Sequence, residues 1–141
     1  ESGPSYTFDT LSELGREHRE LAFVIGTDQL AQLGRWHRFP EILGLSHWIV
    51  LLRRPDGEKV LTEGLLDLLT SGLARPTLSG EMTWALPRGR VLQAVQTAAP
   101  ALSSTTIRET MAKTGQIPPN SLLPTVEAYL KTHRLYGTAA P

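Results

Sequence analysis

No cysteine occurs among the 141 residues, which excludes disulfide frameworks, thiol nucleophiles and cysteine-ligated zinc. The absence fits a reducing cytoplasm, the expected location. Net charge is missing too. Fourteen Lys and Arg balance fourteen Asp and Glu, so no overall field would draw the chain onto nucleic acid or an anionic membrane. A ligand held through positive charge must therefore be small and met by a local cluster. Long apolar runs are also lacking. The longest aliphatic stretch, Ile49 to Leu52, falls far short of the roughly 20 residues a membrane helix needs. The histidines, His18, His37, His47 and His133, have no recognised metal-motif spacing. There is no Gly-x-Ser-x-Gly elbow, Walker-type phosphate loop or Gly-x-Gly-x-x-Gly fingerprint. No basic-then-apolar leader opens the chain, and Glu1 stands where an initiator methionine would. The chain is thus expected to begin partway through a longer gene product.

What is present is the composition of a globular domain: 40% apolar and 20% charged residues, with the aliphatic ones in patterned blocks. The runs Leu21–Ile25 and Trp48–Leu52 read as strands covered on both faces, with Val91–Val95 as a weaker third. Between and around them lie helical patterns. One runs from Asp9 through Leu11, Leu14, His18 and Leu21, and one opens at Asp28 as a capping residue and reaches Leu33. Pro40 begins a third, suited to a first helical turn. Leu61, Leu65, Leu68, Leu69 and Leu73 mark the apolar face of a stronger helix, and Pro124 precedes a pattern through Val126, Tyr129, Leu130 and His133. Alternation of strands and helices predicts an α/β domain, a parallel sheet flanked by helices. Arg75 to Arg90 reads as a loop or irregular insertion, and residues 1–141 as part of a single domain.

Four segments have residues suited to a ligand. Gly26-Thr27-Asp28 follows the first strand, where ligands gather in parallel sheets; glycine admits a close backbone approach and Asp28 can accept ribose hydroxyl protons. The same residues also suit a tight turn with a helix cap. Arg35-Trp36-His37-Arg38 joins cations to an indole, which suits an aromatic ligand carrying a negative group; an indole anchoring its loop to the core is the plainer reading. Ser103-Ser104-Thr105-Thr106-Ile107-Arg108 precedes a helical pattern, with Thr106 and Glu109 at capping-box spacing. A helix start offers free N–H groups to a phosphate, and Arg108 could grip the same anion bidentately. An ordinary capped helix fits equally. Arg53-Arg54 ends the second strand, where a solvated basic turn is the alternative.

Taken in order, these segments resemble bacterial nicotinate-nucleotide adenylyltransferases. The pieces are Ser5-Tyr6-Thr7-Phe8-Asp9-Thr10-Leu11, Phe23-Val24-Ile25-Gly26-Thr27-Asp28, Trp36-His37-Arg38-Phe39, His47-Trp48-Ile49-Val50 through Arg54-Pro55, Leu102 through Arg108, and Leu123-Pro124 to Leu135-Tyr136. The resemblance covers nearly everything outside the segment 58–90. It implies a Rossmann-like nucleotidyltransferase fold, incomplete at its N-terminus, and a reaction joining ATP and nicotinate mononucleotide into deamido-NAD with release of pyrophosphate. By the resemblance, Trp36 stacks on the pyridine ring and amides near Thr7 and His37 hold the carboxylate. Gly26 and Asp28 meet ribose hydroxyls. Ser103, Ser104, Thr105 and Arg108 hold the ATP phosphates, with Arg54 nearby and Arg108 as the catalytic cation. Magnesium bound with ATP is implied by the family and by no ligand in the sequence.

The family opens with a strand and a glycine-rich loop carrying a His-x-x-His pair, and none of these histidines has that spacing. The chain is expected to be the C-terminal portion of a longer enzyme and inactive alone. Lacking its neighbour strands it should self-associate as a homo-oligomer or be completed by the missing segment. A non-catalytic nucleotide-binding module derived from the family is the competing reading. The coenzyme A pathway adenylyltransferase would share the Ser103–Arg108 stretch, but Trp36-His37 after Gly26-Thr27-Asp28 favours a pyridine nucleotide.

Overall fold

The apolar runs around Val24, Val50 and Leu92 become the parallel centre of a mixed sheet. A computed structural model describes residues 5–52, 57–78, 82–97 and 103–137, and the chain divides into two units, Glu1–Ala99 and Pro100–Pro141. In the first unit the order is α1 (Thr7–Glu17), β1 (Ala22–Gly26), α2 (Thr27–Leu30), β2 (His47–Leu52), α3 (Gly57–Thr70), β3 (Arg75–Pro76), β4 (Thr83–Ala85) and β5 (Val91–Gln96). Tight helical turns at Leu33–Arg35, Glu41–Gly44 and Pro87–Gly89 fill the connections.

The strand order is β1-β2-β5-β4-β3. β1, β2 and β5 run parallel, with Phe23 beside Trp48 and Trp48 beside Leu92. β4 and β3 are antiparallel additions, Trp84 pairing with Leu92 and Pro76 with Trp84. The parallel sheet expected from the sequence is therefore its core. Within 75–90, read as a loop, Arg75–Pro76 and Thr83–Ala85 instead extend the sheet as two antiparallel strands, too brief to show alternation. Trp84 lies there, partly buried against the core.

Burial decides which face does the work. Trp48, Val50, Leu52, Leu92 and Ala94 are buried on one face, in a single cluster with Phe8, Leu11, Leu30, Leu33, Ile42, Leu43, Leu61, Leu65 and Leu68. Each buried valine, leucine, isoleucine or phenylalanine among them contributes about 1.5–3 kcal/mol by leaving water. The opposite face is more open: Val24 is 50% and Val95 38% exposed. Expected to be covered on both faces, these strands are covered on one among the described residues, and β1 is an edge.

The helices follow the predicted faces with local differences. α1 ends at Glu17, with His18 already extended, because the chain must straighten to enter β1. Its Asp9 and Arg16 complement the helix dipole. α2 is capped by Gly26 without a side-chain bond, so Asp28 is not the cap but lies in the first turn. The expected helix to Leu33 breaks after Leu30 and resumes as a tight turn, burying both leucines. The helix expected from Pro40 is a tight turn over Glu41–Gly44, with Pro40 at its cap. Gly64 on α3 lets α2 come close: a Cβ there would sit 3.2 Å from Leu30 Cγ and 3.3 Å from the Ala31 nitrogen.

The second unit holds α4 (Ser104–Thr114) and α5 (Pro124–Thr132), with a turn at Leu135–Gly137. α4 stops at Gly115, whose left-handed φ of 68° suits a residue without Cβ. Met111 and Leu130 are its buried apolar side chains among the described residues, while Leu123 and Tyr129 stay exposed.

Leu65→Ala, removing a side chain 1% exposed, is expected to cost about 2–5 kcal/mol of stability in urea unfolding. Leu66→Ala next to it, on a side chain 56% exposed, should change stability by about 0.5 kcal/mol or less.

Candidate functional site

The start of α1 and the loop after Leu33–Arg35 meet around a cavity of about 260 Å³ lined by Ser5, Tyr6, Thr7, Phe8, Arg35, Trp36, His37 and Ile42. Thr7, Trp36 and His37, singled out from the sequence, are thus brought together by the fold. Phe8 and Ile42 anchor the two walls in the core. The Tyr6 and His37 rings stack at 4.3 Å with planes 24° apart, and the Phe8 ring stands edge-on to His37 at 6.3 Å. These rings fasten the loop to the helix start.

Trp36 has two roles in this geometry. Its ring packs against Phe23 at 6.2 Å and Trp48 at 6.1 Å, so it anchors the loop to the sheet. It also lines the cavity. The anchoring and ligand-facing readings are compatible, because an indole is wide enough to serve both.

Residues that line the cavity also carry backbone donors. Tyr6 caps α1 without a side-chain hydrogen bond, and its carbonyl accepts from the amides of Asp9 and Thr10. The Thr7 and Phe8 amides precede the first of these bonds and, with the His37 amide, have no protein acceptor among the described residues. The positive end of the α1 dipole adds to them. Arg35 is exposed on the wall, without an ion-pair partner among the described residues. Arg38 is committed elsewhere: it pairs with Glu41 and lies 4.3 Å over the Phe8 ring.

Gly26 and Asp28 stand at the carboxyl end of β1, Gly26 buried as its last residue and Asp28 exposed in α2. Neither lines the Thr7–Trp36 cavity. Arg54 lies outside the described residues.

In the second unit, the cap of α4 falls three residues before the expected one. Ser103 is the cap: its Oγ accepts from the Thr106 amide at 3.1 Å and pairs with Thr106 Oγ1 at 2.8 Å. Thr106 therefore occupies the third helical position, and Glu109 is no part of a capping box. The Ser104 and Thr105 amides have no protein acceptor among the described residues. Arg108, exposed, follows Ser104 by four positions and so shares its face. Ser103, Ser104, Thr105 and Arg108 thus gather at one helix tip.

Sequence reasoning passed over Tyr6, whose partner is distant in the chain, and treated Arg35 only as part of a cationic stretch. It also gave no role to His47, which accepts from the Val91 amide at 3.2 Å and meets Glu20 at 3.1 Å. No local pattern announces either pairing. Among the described residues no cluster of three His, Asp or Glu could hold a metal ion, and no helix is long and apolar enough to cross a membrane.

The family model for cytidylyltransferase-like proteins matches residues 4–110. The chain belongs to that family. It is similar to the probable nicotinate-nucleotide adenylyltransferase of Stenotrophomonas maltophilia (strain K279a), 34% identical over 98% of this chain and 62% of that protein. The same named enzyme of Hahella chejuensis (strain KCTC 2396) is 37% identical over 96% of this chain and 61% of its own length. That of Pseudomonas putida is 36% identical over 94% and 56%. The chain spans about three-fifths of the length of these curated relatives.

Ser103→Ala is expected to loosen the first turn of α4 by about 1 kcal/mol, read as faster hydrogen exchange at the Thr106 amide. Unchanged exchange there would deny the cap its role.

Proposed function

We propose that the protein joins ATP and nicotinate mononucleotide into deamido-NAD with release of pyrophosphate, in the cytoplasm. In this reading the chain supplies the mononucleotide site and part of the ATP site. The observation that carries it is the Thr7–Trp36–His37 cavity, where an indole, unpaired amides and Arg35 surround one space. A flat cationic ring with a carboxylate matches those groups: the indole takes the pyridinium face and the N–H donors take the carboxylate. An amide in the carboxylate's place would turn its own N–H groups toward donors, which favours nicotinate over nicotinamide mononucleotide.

Gly26 and Asp28 meet the adenosine ribose, glycine by its bare backbone and aspartate by accepting hydroxyl protons. The Ser104 and Thr105 amides, the Ser103 and Thr105 hydroxyls and Arg108 hold the triphosphate, with Arg54 as a further cation. The reacting phosphate oxygen of the mononucleotide is already anionic near neutral pH, so no general base is required. That oxygen bonds to the α-phosphorus as the α–β anhydride bond breaks, and pyrophosphate departs with the electron pair. Alignment and neutralisation of the leaving charge carry the catalysis, and Arg108 is the side chain assigned to the second task in this reading.

The half-open sheet bears on partners. Among the described residues the β1 edge has no neighbouring strand, and Val24 and Val95 are exposed on one face. Such surfaces associate. We expect this chain to self-associate or to be completed by a further segment of the enzyme. Light scattering at high concentration should give more than the monomer mass, and a clean monomer would contradict this.

Trp36→Ala would also open a void beside Phe23 and Trp48, so Trp36→Phe is the sharper probe. In calorimetric titration it should weaken nicotinate mononucleotide binding by about three- to tenfold. Arg108→Ala should leave that affinity alone and weaken ATP binding instead. If both variants bind both nucleotides as the parent does, the site assignment fails.

A further inference from the structure

We propose that the cleft at the amino-terminal ends of the parallel strands is a second ligand site, taking a small phosphate-bearing molecule between Arg16, Arg88 and Arg90. It lies in a cavity of about 320 Å³ to which α1 contributes Gly15 and Arg16, the turn before β2 contributes Leu45, and the loop before β5 contributes Arg88 and Arg90. His18, leading into β1, completes the polar wall, and Leu11 with Leu45 gives an apolar floor.

The arginines are aimed rather than scattered. Arg88 sits in the left-handed region at φ 58°, an uncommon place for a residue with a side chain. Its loop is closed by the Leu86 amide donating to the Arg90 carbonyl at 2.8 Å. The stem of Arg88 then crosses bare backbone at Gly44, where a Cβ would stand 2.9 Å from its Cδ and 3.3 Å from its Cγ. Glycine at 44 is what leaves Arg88 room to lie along the cleft.

The charges are also unspent. Among the described residues, Arg16 and Arg88 have neither ion pair nor side-chain hydrogen bond. Arg90 lies 3.8 Å from Glu20 Oε2, and its Nε is buried without a partner. His47 does not relieve it. Its Nδ1 accepts from the Val91 amide, so in the neutral ring the proton is on Nε2, directed to Glu20. Arg90 Nη1, 3.5 Å from that Nε2, thus faces a donor. Glu20 is the carboxylate within ion-pair reach of the cluster among the described residues, which leaves three guanidinium groups against one acid. Phosphate has the charge and the several acceptor oxygens to engage forks from separate elements, whereas a lone carboxylate satisfies one.

This cleft is not the nucleotide site described above. Gly26 ends β1 at the other rim of the sheet, about 17 Å away for a five-residue strand. α1, about 16 Å long for its 11 residues, has its last turn here and its first turn at the Thr7 cavity. A ligand held here therefore restrains the helix that carries Tyr6 and Thr7.

The test is a titration of the chain with inorganic phosphate and pyrophosphate, followed by the NMR amide signals of Gly15, Gly44 and Gly89. Saturable shifts at these glycines are expected, persisting in Arg108→Ala, which removes a cation assigned to the triphosphate. Arg16→Ala/Arg88→Ala should weaken them by about tenfold or more, and Arg88→Lys, which keeps charge and stem but loses the fork, should weaken them less. Shifts confined to Ser104–Arg108, no saturable shift at these glycines, or equal affinity in the double variant would each overturn the proposal. Loss of thermal stability in Arg16→Ala with unchanged phosphate affinity would overturn it too, assigning Arg16 to the α1 end alone.

Discussion

The first unit depends on the contact between Trp48 and its neighbours. Parallel pairing sets Phe23, Trp48 and Leu92 side by side on one face of the sheet. The Phe23 ring stands nearly perpendicular to Trp48 at 5.3 Å, and Trp36 leans on both. That aromatic knot fixes the loop carrying His37, hence where the loop can meet the first turn of α1. Shift the register of β2 by one residue and Trp48 turns to the open face, leaving Trp36 with only Phe23 to rest on.

The candidate chemistry is built on backbone as much as on side chains. Two helix tips, at Thr7 and at Ser104, present amides that no protein group accepts among the described residues. One lies beside an indole and a cation; the other shares a helix face with Arg108. Free amides are fixed dipoles that need no reorganisation when an anion arrives. This suits a reaction whose nucleophile is already charged and whose difficulty lies in alignment. The cluster at the amino-terminal ends of the parallel strands uses guanidinium forks instead of amides, which suits reversible binding of a soluble anion rather than catalysis.

Much of this architecture was legible beforehand. The strands around Phe23, Val50 and Leu92 were found because unbroken β-branched and aliphatic runs have few other fates, and α3 because its leucines recur at helical spacing. Misreadings came where one residue had to choose between competing local roles. Asp28 and Thr106 both look like caps, yet Gly26 and Ser103 hold those positions, because the cap is set by where the chain leaves extended geometry. The antiparallel pairing of β3 with β4 is not legible in the sequence, since strands of two and three residues are too short for alternation. Expected cover on both sheet faces failed for a related reason: an apolar run shows what a strand can bury, not what is there to bury it.

The site shows the same division at finer grain. Thr7, Trp36 and His37 could be named from the chain, but their partners Tyr6 and Arg35 could not be assigned a role. The amino-acid order alone determined the α/β class, the helical and extended segments and the chemical types available, since these follow from periodicity and composition over a few neighbouring positions. Only the tertiary structure decided that Tyr6 lies on His37, that Arg16 and Arg88 line one cavity, and that one sheet face is open among the described residues. Those meetings join residues far apart in the chain, and the closure that brings them together is paid for by the whole core rather than by any local preference.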